Sequence, residues 1–309
     1  MVSILVSGLI NVETTLRIAE FPLAYNPVYY PFNGIQSSVS GVGYNLAKAL
    51  TGLGNQVDFL SLIGRNEYAA DLVRATLAHD GISDTFVLSQ VDQTAQSVIL
   101  FDPDGKRQIH VDLKDIQEQF YPPKLFEAAA QKCDILALCN INFSRAMLKP
   151  ARAFGKLVAT DVHAIDSLDD AYNQDFMAEA HVLFMSHENL PLPPEEWARA
   201  VLARFRNDIV VIGLGAEGCL LAVRRDGFIG RIPAVYTRPV VNTIGAGDAL
   251  FSAFLHAYLV HRDPYRALQS AVVFASYKIG AVSAADGFLS AIELVEWSRK
   301  IYGEKLISP

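Results

Sequence analysis

Val241-Asn242-Thr243-Ile244-Gly245-Ala246-Gly247-Asp248-Ala249-Leu250-Phe251 interrupts an apolar run with a small-residue turn and delivers one carboxylate to the start of a helix. Gly245, Ala246 and Gly247 carry little bulk to shield their backbone N–H groups. The turn is therefore suited to an anion-binding concavity, where the helix dipole adds a positive partial charge. Asp248 stands beside it. A carboxylate next to an N–H-lined pocket meets two needs of phosphoryl transfer: a base for the attacking hydroxyl, and donors for the charge on the transferred group. An acidic residue in a first helical turn is also an ordinary preference, so the rest of the chain has to carry the assignment.

Downstream, Phe251, Phe254, Leu255, Tyr258 and Leu259 with alanines between them make the helix apolar nearly all round, which predicts a buried, rigid platform for Asp248. Asp263-Pro264 reads as a helix start, and Ser290-Ala291-Ile292-Glu293 as a capping box. Upstream, short β-branched or Leu-rich runs at 2–7, 57–63, 135–138, 157–161, 182–185 and 209–212 alternate with helical patterns. Alternation of this kind predicts an α/β fold with a parallel sheet covered on both faces. Residues from about Asn11 to Ser40, rich in Pro, Tyr and Asn, break the first strand-helix unit. Ser97 to Val111 reads as a hairpin around Asp102-Pro103-Asp104-Gly105. Insertions at about 11–40 and 93–113 are thus expected to build a small β-sheet projecting over the site from a single domain spanning 1–309.

The chain has 309 residues, 51% hydrophobic and 19% charged, enough to bury a large core. A net charge of −7 without a dense Lys/Arg cluster argues against nucleic acid or an anionic membrane as partner. Cys133, Cys139 and Cys219 lie in or beside apolar runs and read as reduced, buried thiols. The N-terminus enters a strand-like run without a basic region or cleavage site, and no apolar stretch nears the ~18 residues of a membrane span. A soluble, cytoplasmic protein is expected.

Gly213-Leu214-Gly215-Ala216-Glu217-Gly218 satisfies a dinucleotide fingerprint letter by letter. That fingerprint must open a helix, whereas Cys219 to Val223 is apolar and leads through Arg224-Arg225-Asp226-Gly227 to another strand-like run. The pattern predicts a hairpin whose glycines either make a tight turn or let a nucleotide approach the backbone. Ser40-Gly41-Val42-Gly43-Tyr44-Asn45 is a second small-residue turn entering a helix, with Asn45 offering a donor and an acceptor to hydroxyl groups. No P-loop is present. The scattered histidines give no metal-site spacing. His163, two residues after Asp161, falls at a strand's carboxyl end, where α/β sheets bind ligands or a histidine serves structurally.

An early Gly-x-Gly-x-Asn turn, a Gly-x-x-Gly after a central strand and a late Gly-Ala-Gly-Asp opening an apolar helix resemble, in this order, the ribokinase-like (PfkB) family of carbohydrate kinases. The resemblance spans nearly the whole chain. It implies a ribokinase-like α/β fold, a central mostly parallel β-sheet sandwiched by helices, with a small β-sheet lid through which many relatives dimerise. It implies transfer of the γ-phosphoryl group of ATP, bound with Mg²⁺, to a hydroxyl of a sugar or sugar-like small molecule. By position, Asp248 matches the catalytic base and Gly245, Ala246 and Gly247 the anion hole. Asn11, Glu13, Gly41, Gly43 and Asn45 match substrate-binding positions. Gly213, Gly215, Gly218, Thr243, Ser276 and Gly287 match the nucleotide side.

The chain also departs from the family. Asn242 stands where relatives usually carry the Asp that helps bind a monovalent cation, which argues against potassium activation. Ser40 replaces the first glycine of the substrate turn, and Glu13 an Asp, which turns the expectation away from ribose. The Asn-x-x-Glu element that organises Mg²⁺ would fall at Ser186-His187-Glu188-Asn189, leaving Glu188 to substitute. Two alternatives remain open at this level: a nucleoside kinase of the same fold, and a non-catalytic ligand-binding member. In the first, Phe21, Tyr25, Tyr29, Tyr30 and Phe32 stack on a base, or else form the lid core or a dimer contact.

Overall fold

The computed structural model describes residues 2–303. Met1 and residues 304–309, included in the expected single domain, lie outside the described residues. In chain order the strands are β1 (Ser3–Ser7), β2 (Asn11–Arg17), β3 (Ile35–Ser40), β4 (Gln56–Gly64), β5 (Val87–Val91), β6 (Gln96–Phe101), β7 (Arg107–Asp112), β8 (Ile135–Leu138), β9 (Leu157–Ala164), β10 (Val182–Ser186), β11 (Ile209–Gly213), β12 (Cys219–Val223) and β13 (Phe228–Ile232). The helices are α1 (Val42–Gly52), α2 (Tyr68–His79), α3 (Pro123–Ala130), α4 (Asn142–Arg145), α5 (Leu148–Ala153), α6 (Gln174–Glu179), α7 (Pro194–Arg204), α8 (Ala246–His261), α9 (Pro264–Lys278) and α10 (Ala291–Tyr302).

Nine strands form one sheet in the order β13-β12-β11-β10-β9-β8-β1-β4-β5. Only β12 opposes the rest, pairing antiparallel with β11 and β13. The glycine-rich turn at 213–218 therefore opens a hairpin rather than a helix, as its sequence predicts. Alternation along each strand divides the core. Ile4 and Val6 of β1 pack with α1, α2, α8, α9 and α10, while Leu5 faces α3 to α7 on the opposite side. Burial on both faces is why these strands read as continuous apolar runs.

The order reverses beside β1, which lies between β8 and β4. In open α/β sheets ligands bind at the carboxyl ends of strands near such a reversal. Directly after β1 the chain leaves for a second sheet, ordered β3-β2-β6-β7, that serves as a lid. Its β6–β7 hairpin turns where Asp102 Oδ1 accepts from the N–H groups of Asp104 and Lys106 at 3.1 and 2.9 Å. One lid face is buried toward the site through Asn11, Glu13, Thr15, Ser97 and Ile99.

The helix starts follow their sequence signals. Asp263 accepts from the N–H groups of Tyr265 and Arg266, and Ser290 with Glu293 closes a reciprocal capping box. β9 runs three residues past the expected end at Asp161, carrying His163 in a left-handed conformation at φ 57°. All three cysteines are buried and unpaired. Burial pushes the Cys133 thiol up to about 11 and that of Cys219 to about 12, so both stay protonated and inert.

Candidate active site

The start of α8 is built by its neighbours. Gly245, the residue before the helix, sits at φ 75°, and a Cβ there would come 2.5 Å from the carbonyl oxygen of Ala284, so glycine is required twice over. Asn242 Oδ1 accepts from Ile244 N–H at 3.0 Å, while Asn242 Nδ2 donates to Val282 O at 2.5 Å. Ala246 N–H turns inward onto Thr243 O at 3.2 Å. Gly247 is exposed, and its N–H, one of the orphan donors of a first helical turn, has no partner among the described residues. Of the three residues matched to an anion hole, Gly245 and Gly247 thus keep free donors and Ala246 spends its own inside the turn.

Asp248 is buried one residue further on and receives a 2.7 Å hydrogen bond from Asn45 Nδ2. Burial raises its carboxyl well above the ordinary 3.8, the nearby Asp161 carboxylate adds to the rise, and Asn45, His163 and Lys278 pull it back. Asp161 lies across the turn. Its Oδ2 would be 3.9 Å from a Cβ on Gly247, its Oδ1 accepts from His163 N–H at 2.8 Å, and His163 Nδ1 stands 4.0 Å from the same carboxylate.

The substrate-side residues converge from β2 and α1. Asn11 Nδ2 donates to Ser97 Oγ at 2.8 Å across the lid. Glu13 is buried and raised above its usual range, chiefly by desolvation, against hydroxyls of Ser40 and Ser97 that hold it down. Asn11 Oδ1, Glu13 Oε1 and Asn45 Oδ1 are buried acceptors that no donor among the described residues reaches. Three such oxygens near one carboxylate base are what a polyhydroxylated ligand would satisfy. Gly41 turns the chain into α1 at φ 108°, beneath Asn11 Oδ1. Gly43 is placed differently from its match to a ligand-lining position: it packs on the backbone of Gly8, where a Cβ would meet the carbonyl carbon at 2.4 Å.

On the nucleotide side, Gly213 ends β11, Gly215 opens a tight turn beside His187, and Gly218 backs onto Ile232 and Ala234. Ser276 is engaged internally, donating to Val235 O at 2.7 Å beside Thr237. Gly287 lies in the 279–290 loop against Arg238, whose guanidinium stacks 3.9 Å above the Tyr277 ring. Glu188 is exposed just past β10. Thr243 Oγ1 accepts from Arg107 Nη1 at 2.6 Å, so a lid strand reaches the anion turn.

Sequence reasoning passed over Arg107, Asp161 and Lys278 as site residues. Lys278 is fully buried at the end of α9, its ammonium donating to the carbonyl of Ile244. An isolated Lys at the end of an apolar helix gives no motif; the signal was its place within an otherwise buried helix face. The lid-segment aromatics do not form a lid core. Tyr25 is 93% exposed and Phe32 88%, with Tyr30 and Phe32 stacked on each other.

A buried carboxylate at a helix N-terminus, beside exposed backbone donors and at the reversal point of a lidded α/β sheet, defines a phosphotransferase of the ribokinase fold. The chain matches the pfkB family of carbohydrate kinases over residues 3–291 and belongs to it. Its reaction class is ATP-dependent phosphorylation of a carbohydrate hydroxyl. It is 27% identical over 276 residues to the acarbose 7(IV)-phosphotransferase of an Actinoplanes species, covering 89% of this chain and 91% of that one. An ATP-dependent ribose-1-phosphate kinase of Halopiger xanaduensis is 26% identical, covering 88% and 90%. The solved structure of a microbiome-derived acarbose kinase superposes with a TM-score of 0.86 at 26% identity over 96% of this chain and 98% of that one. Among the described residues no helix is long and apolar enough to cross a membrane.

Proposed function

We propose that the enzyme phosphorylates a neutral sugar or glycoside held by Asn11, Glu13 and Asn45, with Asp248 as the base. The observation that carries this reading is the cluster of three buried, unpartnered acceptor oxygens beside Asp248. Acceptor oxygens suit hydroxyl donors, whereas a phosphate group on the substrate would bring further acceptors to them. Asp248 takes the proton as the hydroxyl attacks in line, and Asn45 holds the carboxylate in place through that step. Gly245 and Gly247 donate to the charge on the transferred group. Glycines 213, 215 and 218 admit the nucleotide at the hairpin turn, and Gly287 shapes the far wall.

Asp161 and Glu188 are oxygen donors of the kind Mg²⁺ prefers, and would hold it together with the phosphates. Bound there, the ion neutralises phosphate charge. Closure of the lid excludes water from the base. A homodimer paired through the lid sheet and a cytoplasmic location complete the proposal. The exposed Val98, Ile109 and Val111 on that sheet support the former.

The test is ADP release from Mg-ATP across neutral sugars, glycosides, sugar acids, sugar phosphates and nucleosides. Turnover on neutral sugars or glycosides is the expected result; turnover confined to sugar phosphates or nucleosides overturns the substrate assignment.

A further inference from the structure

We infer that Lys278 provides, from within the chain, the positive charge that a monovalent cation would bring to the base of the phosphoryl turn, so that this kinase works without potassium. The inference rests on the phosphotransferase reading of the turn at 243–248.

A cation at this place needs oxygen ligands, and three of the oxygens there are already engaged by donors of the chain. Ile244 O accepts from the Lys278 ammonium, and Val282 O accepts from Asn242 Nδ2 at 2.5 Å. The Asn242 oxygen is spent on Ile244 N–H at 3.0 Å. Position 242 therefore presents a donor to the surrounding carbonyls, whereas a carboxylate would present them a negative charge to share with an ion. The residues present do not fit a potassium site. They fit an ammonium that cannot leave, because its stem is packed at the end of α9 with no exposure.

The placement has a direct consequence for the anion hole. Ile244 O and Gly245 N–H belong to one planar, trans peptide unit and point in opposite directions. Anchoring the carbonyl on Lys278 aims the Gly245 N–H away from the protein interior, toward the transferred group. The 241–244 segment is held to the same loop by Val241 N–H and Asn242 N–H donating to Ile279 O at 2.8 and 3.2 Å. In a medium of low dielectric the ammonium also favours negative charge forming above it. Lys278 is a positioning residue: it acts through the turn and touches neither substrate.

The experiment compares potassium chloride with tetramethylammonium chloride at equal ionic strength, reading both the thermal unfolding midpoint and turnover. For the wild type both are expected to be the same in the two salts, to within about twofold in rate. Lys278→Met is expected to lose turnover by about tenfold or more. Asn242→Asp combined with Lys278→Met is expected to gain stabilisation and turnover that potassium supports and tetramethylammonium does not. A wild type stabilised or activated several-fold by potassium overturns the inference, as does a folded Lys278→Met variant with full turnover. Should Lys278→Met fail to fold, the wild-type comparison still decides. Should no sugar be turned over, the kinase reading fails, while the unfolding measurements still settle whether the cation site is filled by the chain itself.

Discussion

Asn45 donates to Asp248 at 2.7 Å although 203 residues separate them in the chain. The bond joins the first turn of α1, which carries the substrate-side turn, to the first turn of α8, which carries the base and the anion hole. The two helices pack side by side on one face of the large sheet. Base and acceptor pocket are thereby fixed relative to each other by secondary structure, the arrangement that holds a catalytic group within a fraction of an ångström.

Replacing Asp248 with Asn should lower turnover by ~100-fold or more, the loss typical of a general base. The variant should also be more stable than wild type at neutral pH. Burial raises the folded-state carboxyl above its ordinary 3.8, so the folded state binds the proton more tightly than the unfolded one. Its contribution to stability is present below that ordinary value and is lost as pH rises through the folded-state value. Thermal unfolding of both proteins from pH 3.5 to 8 should show the variant's advantage growing with pH and vanishing at the acid end. An advantage independent of pH would mean that the charge on Asp248 is not its source.

Asn45→Ala should shift the pH dependence. The Asn45 hydrogen bond favours the ionised form of Asp248 and holds its pKa down. Without it the pKa rises further, fewer molecules carry an ionised base at a given pH, and the acidic limb of kcat/KM moves to higher pH. An unmoved limb with a lower plateau would assign Asn45 to acceptor binding alone.

Much of this site was legible in the sequence because the chemistry demands local patterns. Gly245 to Asp248 must be contiguous to cap a helix, and Gly41 to Asn45 must open one, so each turn is visible without knowing its partner. The alternating strands were legible because burial on both sheet faces forces unbroken apolar runs. What could not be read were contacts between distant segments. Lys278 and Ile244 meet because α9 returns beside the start of α8. Asp161 faces Gly247 because the end of β9 and the start of α8 meet, although 86 residues separate them in the chain. Gly43 matched a binding motif, yet its size is demanded by the backbone of Gly8, a reason that only packing discloses.

That packing supports a stability prediction. Gly43→Ala would place a methyl 2.4 Å from the backbone of Gly8, and backbone at the end of a central strand cannot move aside cheaply. The variant should lose about 1–3 kcal/mol, the usual penalty of overpacking a filled core. Denaturant unfolding measures it. A loss below about 0.5 kcal/mol, the range of neutral surface changes, would show that α1 can slide away from β1.

The last prediction concerns Arg107, which leaves the lid at the start of β7 and donates to Thr243 Oγ1 at 2.6 Å beside the anion turn. This contact joins lid position to the phosphoryl site, so holding the acceptor under the lid and organising the turn become one event. Arg107 is exposed, so the bond adds little to overall stability. Its loss should be felt in turnover, because an open lid admits water and loosens the acceptor. Arg107→Ala is expected to lower kcat about tenfold, with an unfolding midpoint close to wild type. Arg107→Lys, able to reach Thr243 with a single donor, should recover part of that loss. Thr243→Val, which removes the acceptor but keeps the shape, should reproduce the Arg107→Ala defect, and combining the two should add little. Fully additive effects would show that Arg107 and Thr243 act separately, with Arg107 working on the transferred group rather than through the turn.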